Sequence, residues 1–220
     1  MIVDLAAASS LAVRGQIAMP QVLAIASLSV ASATIAAFLA LCFTIGVFNI
    51  PHFVRESRGK MVLFGRTYTG AYRNIGSTFE AIEKIRTTCG LETSCGVYYD
   101  DPKKVPEDEC RAFVAVALHP EQVPAHRSHL IEVGLKEVSI PASTFHVARW
   151  PMASFPLETI SIILAVTRVY AAAQQQPWAD AVQGCMEVYR APSVHKRHHS
   201  RTIEFCFALD NGDAFRSPPE

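Results

Sequence analysis

Between residues 15 and 54 the chain carries no Lys, Arg, Asp or Glu, and residues 22–47 are mostly Leu, Ile, Val, Ala and Phe. A bilayer core about 30 Å thick is crossed by roughly 20 apolar helical residues, so this run predicts one transmembrane helix over residues 20–50. Ser27, Ser29, Ser32, Thr34 and Thr44 do not interrupt it, because hydroxyls can bond back to the helix's own carbonyls. The run exceeds the roughly 7–15 apolar residues of a cleaved leader, and a single basic residue, Arg14, precedes it. Arg14 is partly offset by Asp4, whereas Arg55, Arg58 and Lys60 follow the span. The positive-inside rule then leaves the Ala/Ser-rich leader, residues 1–19, on the lumenal or outer side and everything after the span in the cytosol.

Past the span the hydrophobic period shortens. Residues 51–59 read as a linker, and residues 60–69, with Met61, Val62, Leu63, Phe64 and Tyr68, as a first strand. Ser77-Thr78-Phe79-Glu80 has the spacing of a capping box; Phe79, Ile82, Ile85 and Cys89 follow on one helical face, and Gly90 stops the helix. Strands are predicted at residues 96–99 and 110–118, the second apolar enough to be buried on both faces. A Pro-containing loop over 119–126, a short helix over 128–133 and strands over 136–140 and 144–150 come next. The longest soluble helix spans 154–176, with Pro156 in its first turn and Leu157, Ile160, Ile163, Leu164 and Thr167 as its expected inner face. Strands at 186–189 and 202–209 close the domain.

The order is β-α-β-β twice, in repeats over about residues 60–118 and 136–209 of a domain covering 60–215, with 216–220 as a polar end. Val97-Tyr98 after the first helix and Val188-Tyr189 after the second mark the same place in each half. The expected fold class is α+β, a duplicated β-α-β-β domain behind one transmembrane helix. Two such halves can lay their sheets edge to edge and leave a groove between the helices.

Composition narrows the function classes. The formal net charge is zero, so no global field draws the protein to nucleic acid, and no direct nucleic-acid contact is expected. The basic run at residues 195–201 reads as a solvated hairpin tip, able to meet anionic lipid headgroups if it faces a membrane. The six cysteines include no C-x-x-C and read as reduced, mostly buried thiols. Only His198-His199 brings metal-type ligands together, and neither a metal nor a cofactor is expected. No G-x-S-x-G, no phosphate-cradling glycine loop and no H-E-x-x-H occurs, so no catalytic residue is assigned.

The block Cys95-Gly96-Val97-Tyr98-Tyr99-Asp100-Asp101-Pro102, continued by Val105-Pro106 and Cys110-Arg111, resembles the V-Y-Y-D-N-P…V-P…K-C-R block of the testis-expressed protein 264 family. Ile140-Pro141-Ala142, Phe155-Pro156, Thr167-Arg168, Glu187-Val188-Tyr189 and Phe205-Cys206 extend the resemblance across roughly residues 20–215. It implies a single-pass protein of the endoplasmic reticulum, extending to the nuclear envelope, with a cytosolic domain like the DNA gyrase inhibitor (GyrI-like). It further implies a receptor or adaptor in reticulophagy and in repair of protein–DNA crosslinks, with ubiquitin-like autophagy modifiers and the valosin-containing ATPase as partners beside the lipid bilayer. In that family the partner motifs lie in a long acidic tail, which residues 210–220 do not provide. Phe79-Glu80-Ala81-Ile82 and Tyr72-Arg73-Asn74-Ile75 have the spacing of an autophagy-modifier motif, the first within a predicted helix where its apolar residues belong to the core.

The broader gyrase inhibitor-like group implies a small-molecule site in the groove, with a Glu on the strand after the second helix. Here that residue is Glu187. Strand alternation puts Tyr189 on its side, and Trp150 and Tyr72 complete the expected aromatic surroundings, a combination suited to a cation. The expected function is therefore a membrane-anchored adaptor, the alternative being a sensor for an aromatic cation or a Glu187-dependent hydrolase in the same groove.

Overall fold

The computed structural model describes residues 19–153, 156–190, 201–210, 212–215 and 218–219. It divides into two units, residues 1–48 and 49–220. The first is helix α1 (Met19–Ile45). Its segment Leu23–Ile45 has a mean hydropathy of 2.2 over 23 residues, which at a rise of about 1.5 Å per residue is roughly 35 Å long. Leu28, Val30, Phe38 and Phe43 are exposed along it. The hydroxyls of Ser27, Ser29, Ser32, Thr34 and Thr44 all donate to carbonyls three or four residues back, so the helix satisfies its own polar groups.

The second unit is built on eight strands: β1 (Phe53–Arg58), β2 (Met61–Thr69), β3 (Thr93–Tyr98), β4 (Arg111–Leu118), β5 (Lys136–Ile140), β6 (Ser143–Pro151), β7 (Gly184–Arg190) and β8 (Thr202–Ala208). They form one antiparallel sheet in the order β1-β6-β8-β7-β3-β4-β2-β5. Helix α2 (Gly76–Thr88) joins β2 to β3, α3 (Val123–Glu132) joins β4 to β5, and α4 (Glu158–Ala173) joins β6 to β7. The repeats are therefore β2-α2-β3-β4 and β6-α4-β7-β8. They meet at the β3–β7 ladder, and β1 and β5 are added at the edges.

The connection from β5 to β6 dictates the curvature. Ile140 and Ser143 are three residues apart, a reach of about 11 Å. A flat sheet with strands about 4.8 Å apart puts β5 and β6 roughly 29 Å from each other. The sheet consequently curls. Its inner face is filled by Leu63, Phe113, Ile140, Phe145, Val147, Met186 and Phe215. Its outer face carries two layers: Val62, Phe64, Val114 and Val116 under Ile82 of α2, and Ala148, Trp150, Ile203 and Phe205 under Ala165 and Val169 of α4.

Four sequence expectations are corrected. Residues 53–58, read as linker, form the edge strand β1 paired with β6; the side chains of Glu56 and Arg58 belong to an ion-pair network described below. Helix α2 begins at Gly76 with Ile75 at its cap and no side-chain cap bond, so Ser77 and Glu80 both lie inside the helix instead of forming a capping box. Helix α3 starts at Val123, five residues early, because Pro124 falls in the first turn where its missing N–H costs nothing. Helix α4 buries Ser161, Ala165, Val169 and Ala173, while Ile160 and Ile163 face outward. The helix is apolar nearly all round, so periodicity alone did not identify its inner face, and the small residues lie where the helix meets the sheet.

Candidate functional site

Residues paired directly across an antiparallel ladder share a face. The row Val114–Gly96–Glu187–Phe205–Ala148 thus runs along the outer face through β4, β3, β7, β8 and β6, with Glu187 near its middle, between α2 and α4. Alternation along β7 brings Cys185 and Tyr189 to the same face.

Glu187 is 3% exposed. Its Oε2 accepts bonds from the hydroxyls of Tyr189 at 2.6 Å and Tyr98 at 3.1 Å, and its Oε1 accepts one from Tyr170 at 3.0 Å. Tyr98 comes from β3 and Tyr170 from α4, so three elements converge on one carboxylate. The Tyr170 hydroxyl also lies 3.0 Å from the Cys185 sulfur. With its one proton given to Glu187, that hydroxyl accepts from the thiol. Phe79 of α2 meets Tyr189 edge-on at 5.3 Å, adding a fourth ring. Gly96, opposite Glu187, leaves the space for this: a Cβ there lies 2.9 Å from Phe79 Cζ and 3.1 Å from Tyr98 Cε2.

Burial pushes the Glu187 carboxyl above the usual range, and the three phenol bonds only partly offset this. Burial likewise holds Tyr98, Tyr170, Tyr189 and the Cys185 thiol well above their ordinary values, so all four stay protonated and the phenols serve as donors. No cationic side chain among the described residues pairs with Glu187.

The neighbouring strand supplies the contrast. Glu204 of β8 faces the inner side and is 5% exposed. It pairs with Arg58 at 2.9 Å, Arg149 at 3.1 Å and Arg190 at 3.2 Å, and Arg149 also holds Glu56 at 2.7 Å. Burial raises its pKa, but the attraction and hydrogen bonds of Arg58 and Arg190 outweigh this, leaving the net shift downward. One buried carboxylate is neutralised by guanidinium groups; the other is met only by neutral hydroxyls. Arg58, counted in the sequence as a charge flanking the span, belongs to this network.

Of the four residues expected at the site, Glu187 and Tyr189 come together. Trp150 lies 1% exposed under Ala165 and Val169, a core side chain of the α4 layer. Tyr72 is turned away from the carboxylate: its hydroxyl bonds the Arg111 carbonyl at 2.8 Å, and its ring buttresses Tyr98 edge-on at 5.0 Å. Asp100 locks the same turn through both oxygens to Arg111 at 2.8 Å. Ile82 and Ile75, each ending a candidate autophagy-modifier motif, are core residues. The residues missed are Tyr98, Tyr170, Phe79 and Cys185. Tyr98 had a signal, the Val-Tyr pair that each repeat carries after its helix.

The basic run at 195–201, with His198-His199, lies outside the described residues except for Arg201, which pairs with Glu158 at 2.6 Å. Among the described residues no group of three or more His, Cys, Asp or Glu could hold a metal. An open hollow of about 600 Å³ lies elsewhere, lined by Tyr68, Arg73, Asn74 and Glu107, where Arg73 and Glu107 pair with each other.

No protein-family model and no curated protein matches the chain. Solved structures of similar backbone shape include SAV2435 bound to tetraphenylphosphonium, at 11% identity and a TM-score of 0.48 over 73% of this chain and 94% of that one. The C-terminal domain of EcmrR matches at 12% identity and a TM-score of 0.40, over 73% and 98%. A hydrolase from Listeria innocua matches at 8% identity and a TM-score of 0.36, over 73% and 93%.

Proposed function

We propose that the domain binds a small apolar cation, seated on Glu187 among Tyr98, Tyr170, Tyr189 and Phe79. The observation that carries this is a buried carboxylate with three hydroxyl donors and no counter-charge among the described residues. A cation at the rings restores the charge balance that burial denies Glu187, and aromatic faces add about 2 kcal/mol or more each when desolvated. Binding is the role proposed: three phenols hold the carboxylate as donors, and burial keeps the Cys185 thiol beside Tyr170 protonated. Calorimetric titration with tetraphenylphosphonium tests the reading. Binding that Glu187→Gln weakens at least tenfold supports it, and an affinity indifferent to the substitution removes it.

We further propose that α1 anchors this domain in a membrane, on the grounds of its length, its exposed apolar side chains and its self-satisfied hydroxyls. The resemblance in residues 95–111 supports placing the protein in the endoplasmic reticulum, with the cation site cytosolic and the anchored domain acting as a receptor or adaptor. Co-precipitation with autophagy modifiers or the valosin-containing ATPase tests that role; absence of both complexes leaves the sensor alone.

A further inference from the structure

Helix α4 has two charged residues, Glu158 and Arg168, among its sixteen. Its outward face carries Ile160 and Ile163, 52% and 60% exposed, with Thr159, Thr167 and Ala171 around them. A helix on a water-facing surface normally turns a charged face outward. Helix α2, its counterpart in the first repeat, does so with Glu80 and Lys84, and exposes no large apolar side chain. The difference between two equivalent helices calls for something apolar over α4.

The chain itself indicates what that is. On one flank of the exposed face, Arg168 donates to the backbone carbonyl of Asn49 at 3.2 Å. Asn49 is the fourth residue after the end of α1, and Ile50 beside it is 73% exposed. Where α1 crosses a bilayer, the chain from Ile45 to Asn49 reaches at most about 14 Å past the helix end.

We propose that the Ile160–Ile163 face of α4 rests on the bilayer surface. On the opposite flank of that face, Tyr170 reaches Glu187, so one wall of the cation site is a helix in contact with lipid, and amphipathic cations concentrated in the membrane are the ligands it meets first. The inference rests on α1 being a membrane anchor.

The test places a photoreactive benzophenone side chain, one position at a time, at Ile163, at Phe38 of α1, and at Ile131, an exposed isoleucine of α3. Each full-length variant is reconstituted into phosphatidylcholine vesicles, irradiated and assayed for lipid adducts. Adducts at Phe38 and Ile163, severalfold above Ile131, are expected. Adducts at Phe38 alone overturn the docking of α4 while leaving the anchor in place. Equal adducts at Ile163 and Ile131 overturn it as non-specific contact, and adducts at none of the three overturn anchor and docking together.

Discussion

Gly96 and Glu187 face each other across the β3–β7 ladder, at the seam where the two repeats meet. Each is followed by Val-Tyr, so Tyr98 and Tyr189 occupy matching places and converge on the same carboxylate. Duplication supplied two tyrosines; the seam admits one acid because its partner position has no side chain.

Gly96→Ala tests that geometry. The added methyl lies 2.9 Å from Phe79 Cζ and forces the ring outward. Overpacking of this kind costs about 1–3 kcal/mol, measurable by urea unfolding, and the cation affinity falls with it. Combining it with Phe79→Ala recovers part of the stability.

The two buried glutamates should respond to pH in opposite senses. The carboxyl of Glu187 is raised above its usual 4.5, so its contribution to ligand-free stability is full below that value and is lost as pH climbs through the raised one. Glu187→Gln removes this loss, and its melting temperature should gain on the parent's between acid and neutral pH. The carboxyl of Glu204 is lowered, so its contribution is full above the usual value and is lost as pH falls through the lowered one. Glu204→Gln strands a half-buried arginine cluster and should cost about 3 kcal/mol at neutral pH, a gap that narrows in acid. Melting curves across pH read both.

Tyr98 and Trp150 separate binding from packing. Tyr98→Phe deletes one donor to Glu187 and should weaken cation binding severalfold with a stability loss of about 1 kcal/mol. The Trp150 Nε1 is buried without a hydrogen-bond partner among the described residues, so Trp150→Phe loses only volume. It should cost about 1–2 kcal/mol in unfolding and leave cation affinity unchanged.

Strand periods make the repeats legible in the sequence, and the alternation of Glu187 with Tyr189 places both on one face. The convergence of Tyr98 and Tyr170 was not legible, because it depends on β3 pairing with β7 and on which side of α4 faces the sheet. Both are long-range choices. The α4 pattern misled for a physical reason: Ile160 and Ile163 are apolar yet outward, and the small residues Ser161, Ala165 and Ala173 allow the close approach to the sheet. Strand β1 was missed because Arg55, Glu56 and Arg58 read as polar linker, whereas Glu56 and Arg58 close an ion-pair network with β6 and β8.

If the proposed site is right, Glu187 selects for positive charge. Tetraphenylphosphonium and tetraphenylborate have nearly the same shape and opposite charge, and competition between them on the full-length protein separates charge from greasiness. The parent should strongly prefer the phosphonium, and that preference should collapse in Glu187→Gln. Equal affinity for both ions in the parent, or a preference that survives the substitution, contradicts it.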